Sequence, residues 1–200
     1  MSFEDKSDRD IDSEKKMFRA SAEKKRHLLC LCDVQKASIS IIQNFCETWS
    51  PPFGSIVSAF WPFRAELDVR PLIYRLKAKG YTIALPQIVA KATPLLFREW
   101  KPATPLLADK YGVLCLPDTS AIIEPDWLLV PLLAFDKNGY RLGYGGGFYD
   151  LTLTKLRKER KIFAVGVAYE CQLVSRVPHT KRDVRLNAVL TEGQIFNIED

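Results

Sequence analysis

A chain of 200 residues, 47% hydrophobic and 26% charged, can bury one sizeable core and has the make-up of an ordinary globular protein. No apolar run reaches the roughly 20 residues that cross a bilayer, and two histidines with five cysteines in no C-x-x-C spacing argue against a His-rich metal centre or a zinc knuckle. The net charge of +5 and pI near 8.9 suit an anionic ligand, either nucleic acid or a small molecule.

Residues 1–12 are polar and predict a disordered tail, while residues 13–200 predict a single α/β domain. The N-terminus lacks the apolar middle of a signal peptide. A cytoplasmic protein with reduced, mostly buried thiols (Cys30, Cys32, Cys46, Cys115, Cys171) is therefore expected. From Ser13 the pattern turns helical, with Phe18, Ala22, Lys25, Leu28 and Leu29 at three- and four-residue spacing. The same stretch carries a basic block of Lys15, Lys16, Arg19, Lys24, Lys25 and Arg26. Lys15 and Arg19 lie one turn apart and can both face a single anion, although a solvated basic face has the same pattern. A second helix over 33–49 puts Ile39, Ile42, Phe45 and Cys46 on its apolar side, and Ser50-Pro51-Pro52 stops it.

The period then shortens. Residues 55–61 (SIVSAFW) read as a short apolar strand. Asp68 can cap a helix over 69–79 with Pro71 in its first turn, and Gly80 ends it. Strands follow over 81–85 and, with one wet face, over 94–100. After a proline-spotted loop, residues 127–135 (WLLVPLLAF) are apolar throughout, as expected of a strand buried on both faces. Later segments predict a helix over 148–158, a strand over 162–168, a turn-rich stretch to Pro178 and a strand over 188–191. Strands alternating with helices predict an α/β domain with a largely parallel sheet.

Five of the ten glycines fall between Gly139 and Gly147. They follow the buried strand and precede a helix, so they sit at a strand's carboxyl end, where open α/β sheets bind ligands. Bare backbone lets N–H groups approach an anion, and the helix behind offers its positive end. The string lacks both the Gly-Lys-Ser/Thr ending of a P-loop and a dinucleotide fingerprint with a distant acidic partner. A tight turn with several positive φ values would account for the glycines alone. Arg141, a planar donor fork suited to phosphate, and Asp150, a carboxylate suited to Mg2+, shift the balance toward a nucleotide phosphate cradle.

The run Arg141-Leu-Gly-Tyr-Gly-Gly-Gly-Phe-Tyr-Asp150, preceded by Pro131 to Asp136 and Gly139, resembles the signature of 5-formyltetrahydrofolate cyclo-ligases, also called methenyltetrahydrofolate synthetases. Glu66-Leu-Asp68 with Arg70-Pro-Leu-Ile resembles that family's substrate-side segment. Gln172 to Pro178, Asp183, and Val189 to Glu192 resemble its C-terminal segment, so the likeness extends over most of the chain. The resemblance implies a three-layer α/β/α Rossmann-like fold with a largely parallel central sheet. It implies ATP and Mg2+ as cofactors and conversion of 5-formyltetrahydrofolate to 5,10-methenyltetrahydrofolate with release of ADP and phosphate.

By motif position the resemblance also implies site residues. Arg141, Tyr149 and Asp150 take catalytic roles. Lys15 and Arg19 reach ATP, together with Arg141, Leu142, Gly143, Tyr144, Gly145, Gly146, Gly147, Phe148 and Tyr149. Trp61 and Glu66 contact the folate, as do the residues from Tyr144 to Phe148. Asp150 and Asp183 serve Mg2+. Three departures stand out: Gly146 where some members carry lysine, Leu151 where many carry arginine, and Asn187 in place of a common aspartate. The expected partner is one small molecule, 5-formyltetrahydrofolate with or without a polyglutamate tail, bound by a monomer with no nucleic acid or membrane. Two alternatives stay open: a relative of the same fold with acyl- or CoA-transfer chemistry, and a non-catalytic module that binds nucleic acid through the basic helix.

Overall fold

Short apolar strands joined by amphipathic helices satisfy their backbone by pairing side by side, and here seven of them form one sheet. The computed structural model describes residues 8–29 and 31–199. In chain order the elements are α1 (Asp8–His27), α2 (Leu31–Thr48), β1 (Ile56–Ser58), α3 (Arg70–Ala78), β2 (Thr82–Gln87), β3 (Leu96–Trp100), β4 (Leu107–Ala108) and β5 (Leu114–Cys115). They continue with β6 (Trp127–Pro131), β7 (Ala134–Phe135), β8 (Arg141–Leu142), α4 (Phe148–Glu159), β9 (Phe163–Val167), β10 (Ala188–Leu190) and β11 (Ile195–Asn197). A 3-10 turn, Glu170–Gln172, follows β9.

The main sheet runs in the order β11-β10-β9-β6-β1-β2-β3. Its inner strands are parallel, with β3 and β11 antiparallel at the two margins. Register explains the core. Val57 pairs with Ile83, and Leu129 with Val165. Those side chains share one face, covered by Ala37, Ile41 and Phe45 of α2 and by Leu72, Ile73 and Leu76 of α3. Their neighbours Ala84, Leu128, Val130, Ala164 and Val189 point the other way and meet Leu153 and Leu156 of α4. A third cluster, Ala22, Leu133, Ala134, Leu142 and Val177, seats α1 on the β7–β8 hairpin.

Several boundaries differ from expectation. Residues 8–12, read as part of a disordered tail, are helical, and residues 1–7 lie outside the described residues. Asp10 and Asp12 sit in the first turns of α1, where acidic groups complement the positive end of the helix. The buried stripe of α1 is Lys15, Ala22 and Arg26, whereas Leu28 is 77% exposed. On α2 the buried residues are Ala37, Ser38, Ile41 and Phe45, and Ile39 faces solvent.

The apolar run over 127–135 is not one strand. β6 stops at Pro131, and the chain leaves the sheet to form the hairpin, where the N–H of Leu133 donates to the carbonyl of Leu142 at 2.7 Å. The small β4–β5 pair and the edge strand β11 had no clear apolar signal because they are short and half-exposed. Of the thiols, Cys115 is buried, Cys46 partly buried and Cys171 exposed, so burial is not general. Cys30 lies outside the described residues. Among the described residues no helix is long and apolar enough to cross a membrane.

The sheet predicts its own weak point. Leu129 is fully buried in the central strand β6. Leu129→Ala should lower the unfolding free energy by about 2–5 kcal/mol, read from urea denaturation followed by circular dichroism.

Candidate active site where the strand order reverses

Between β1 and β6 the connections part. β1 continues through α3 to β2 on one side, and β6 through α4 to β9 on the other. The loops leaving these two strands diverge, which opens a crevice beyond their carboxyl ends. The opposite end is closed: Trp127 and Phe163, the first residues of β6 and β9, pack with ring centroids 4.5 Å apart, and Trp49 stands against both.

Residues 132–147 build one wall. Asp136 is fully buried and organises the hairpin turn. Its Oδ1 accepts from the N–H groups of Asn138 (2.9 Å) and Tyr140 (3.1 Å), and its Oδ2 from that of Val177 (2.8 Å). From Tyr144 to Gly147 the loop is exposed. Gly145 has φ +102°, and a Cβ there would fall 3.3 Å from the guanidinium carbon of Arg19. Gly147, at φ +67°, starts α4 with no side-chain cap, which leaves the helix's first N–H groups for an incoming anion. The ring of Phe148 fills the space that a side chain on Gly146 would take.

A polar network ties this wall to the rest of the protein. Arg141, whose side chain is 4% exposed, donates from Nη2 to Asp150 Oδ1 (2.7 Å) and from Nη1 to the carbonyl of Val184 (2.6 Å). Both terminal nitrogens of the fork expected to meet phosphate are thus hydrogen-bonded within the protein, to Asp150 and to the segment beside Asp183. The N–H of Val184 donates to the same Oδ1 at 3.0 Å, which brings the neighbouring Asp183 beside Asp150. Oδ2 of Asp150 has no hydrogen-bond partner among the described residues.

Asp183 accepts from Lys15 Nζ at 2.7 Å on both oxygens, and Oδ2 also accepts from the N–H and hydroxyl of Thr180. Burial pushes the Asp183 carboxyl up, but these donors hold it below the ordinary aspartate value. One turn along α1, Arg19 Nε donates to the carbonyl of Gly143 at 2.9 Å. Lys15 and Arg19 therefore do converge on one place, the seam between the glycine loop and the Asp183 segment. The side chain of Leu142, beside that seam in sequence, is buried under α1.

The other wall comes from the loop after β1. Glu66 is 8% exposed, and its Oε2 accepts from the N–H of Phe63 at 2.9 Å. Burial raises its pKa to about 7 against the pull of that N–H, the Arg26 charge and the Tyr144 hydroxyl. The Tyr144 hydroxyl accepts from Arg26 Nη2 at 2.6 Å. The Tyr149 hydroxyl is buried without a partner, and burial together with the charge on Glu66 makes it very hard to ionise. Trp61 is half-buried on the core beside Trp100, with ring centroids 6.2 Å apart.

Among the described residues no group of three or more His, Cys, Asp or Glu could hold a metal. Two carboxylates would suit Mg2+, which takes one or two of them and fills the remainder with phosphate and water. Asp150, with its spare oxygen, and Asp183 could supply those carboxylates. Sequence reasoning missed Arg26, which looked like one of several solvated basic residues, and the roles of Thr180 and Val184, which act through main-chain and hydroxyl groups.

The 5-formyltetrahydrofolate cyclo-ligase of Escherichia coli is 37% identical over 145 residues, 70% of this chain and 79% of its own. That of Haemophilus influenzae is 30% identical over 181 residues, 88% of this chain and 96% of its own. Among solved structures, the 5,10-methenyltetrahydrofolate synthetase of Aquifex aeolicus superposes with a TM-score of 0.75 at 27% identity, over 93% of each chain. The synthetase of Mycoplasma pneumoniae shares the fold, with a TM-score of 0.72 at 23% identity, covering 89% of this chain and 98% of its own. A profile of the 5-formyltetrahydrofolate cyclo-ligase family matches residues 9–192, and the chain belongs to that family.

Proposed function

We propose that the crevice closes the ring of 5-formyltetrahydrofolate to give 5,10-methenyltetrahydrofolate, with ATP and Mg2+, and releases ADP and phosphate. One observation carries this reading: an exposed glycine loop, two cations on α1, a half-free carboxylate and a buried glutamate all face the point where the strand order reverses. The two helix-covered faces of the sheet support describing the fold as a three-layer α/β/α sandwich. The unpaired Cys46, Cys115 and Cys171 suit a reducing, cytoplasmic setting.

A formamide oxygen is a poor leaving group. ATP supplies a phosphoryl group to it, after which the folate's 10-nitrogen attacks the activated carbon, loses its proton, and phosphate departs. The protein supplies position and charge, and no side-chain nucleophile is needed. The main chain from Gly143 to Gly147 and the start of α4 cradle the triphosphate, with Lys15 and Arg19 neutralising it. Asp150 and Asp183 would hold Mg2+, which would neutralise phosphate charge. Arg141 orients Asp150 from behind. Glu66 accepts from the pterin's N–H groups, with Trp61, Tyr144 and Phe148 lining the ring site.

The direct test mixes protein, 5-formyltetrahydrofolate, ATP and Mg2+ and follows the near-ultraviolet absorbance of the methenyl product, omitting each component in turn. Product formed without ATP, or none with the full mixture, overturns the reading. Asp150→Asn should lower kcat/KM for Mg·ATP by on the order of a hundredfold or more while the protein still folds, as judged by circular dichroism. Wild-type turnover in that variant would remove Asp150 from the metal site.

Glu66 gives a signed pH prediction. Its folded pKa of about 7 lies above the ordinary 4.5, so between those values the folded protein holds the proton more tightly than the unfolded one. Its contribution to stability is therefore lost as pH rises through that window. Glu66→Gln should gain stability relative to wild type from pH 5 to pH 8, by up to about 3 kcal/mol, while folate turnover falls. Parallel denaturation curves at the two pH values check the first half, and the absorbance assay checks the second.

A further inference from the structure

Four consecutive basic residues, Lys24, Lys25, Arg26 and His27, close α1, and of these Arg26 alone turns inward, at 3% exposure, while the other three face solvent. A guanidinium is buried only where something answers its charge and donors. Arg26 Nη2 donates to the Tyr144 hydroxyl at 2.6 Å, and its guanidinium carbon lies 5.9 Å from the centre of the same ring. Nε is buried with no hydrogen-bond partner among the described residues. The charge of Arg26 is felt at Glu66, which also faces Tyr144 from the glycine loop and Tyr149 from α4. Arg64, on the loop that carries Glu66, stands 6.0 Å from the Tyr144 ring centre. Phe63 meets that ring edge-on, with centroids 6.2 Å apart.

We propose that Arg26 is a positioning residue for the folate: it clamps Tyr144 and sets a fixed positive charge opposite Glu66, so that the pterin meets a hydroxyl and a carboxylate already aligned. The proposal rests on the function proposed above. It makes α1 a two-ended strut. Lys15 and Arg19 hold the phosphate side, and Arg26, about 10 Å beyond Arg19 along the axis, holds the folate side. A helix that merely roofed the site would weaken both substrates together. A strut with separate ends lets one be disturbed without the other.

The test measures equilibrium binding of 5-formyltetrahydrofolate without ATP, and then the KM of each substrate, for Arg26→Leu, Arg26→Lys and Tyr144→Phe. Losing a charge-assisted hydrogen bond should weaken folate binding in Arg26→Leu on the order of tenfold, while the KM for ATP stays within about twofold. Without the opposing cation Glu66 takes up its proton more readily, so the acid limb of kcat/KM should move to higher pH in Arg26→Leu. Arg26→Lys should restore that limb but not the full affinity, because lysine lacks the fork. Tyr144→Phe should weaken folate binding similarly, and adding Arg26→Leu to it should cost little more.

Folate affinity unchanged in Arg26→Leu, or the KM for ATP rising by the same factor, would overturn the proposal. Should the leucine variant fail to fold, Arg26→Lys and Tyr144→Phe decide it: weakened folate binding with an unchanged KM for ATP supports the clamp, and unaltered folate binding overturns it. Wild-type protein that neither binds nor converts 5-formyltetrahydrofolate would instead overturn the reading of the site, and the clamp with it.

Discussion

Oδ1 of Asp150 accepts from the guanidinium of Arg141 and from the N–H of Val184, and much of the site hangs on that one oxygen. It joins the first turn of α4 to β8 and to the segment carrying Asp183. Asp183 in turn grips Lys15 and so brings α1 over the glycine loop. An ion pair this buried is costly to desolvate, and removing one partner would leave a charge stranded at about 3–5 kcal/mol. The geometry tolerates that because every step of the chain, from α4 to β8 to residues 183–184 to α1, is closed by a short hydrogen bond.

Elements that frame the same crevice carry the buried side-chain nitrogen and oxygen atoms that lack a hydrogen-bond partner among the described residues. Arg26 Nε, Ser58 Oγ and the Tyr149 hydroxyl are buried without partners, each costing about 1–3 kcal/mol if nothing ever answers it. They belong to α1, β1 and α4, the elements that frame the place where the strand order reverses. Glu66 adds a carboxyl whose ionisation is opposed by burial. A core built for stability alone would satisfy or remove these groups. Their concentration at one end of the sheet, while the other end is sealed by Trp49, Trp127 and Phe163, is what a binding site superimposed on a fold looks like in energetic terms.

Much of this was legible in the residue pattern, for local reasons. Strand and helix periods, Pro51-Pro52 and Gly80 as stops, and glycines at positive φ are short-range signals, so the positions of α2, α3, α4 and the inner strands were readable to within a few residues. The start of α1 and the split of the 127–135 run were not. In the first case dipole complementarity outweighed polarity. In the second, nine apolar residues look alike whether they stay in the sheet or turn out of it after Pro131.

The sequence by itself determined the α/β class, the glycine loop at a strand's carboxyl end, and the residue types that an anionic ligand and Mg2+ require, because each of these depends on neighbours close along the chain. Only the tertiary structure decided how those residues are used. Arg141 turns inward to Asp150 although its fork suits phosphate, and Arg26 is buried although its three basic neighbours are solvated. Asp183 lies against Lys15 across 168 residues of chain. Burial and long-range pairing set a charged side chain's role through desolvation and hydrogen bonding, and neither is encoded in local spacing.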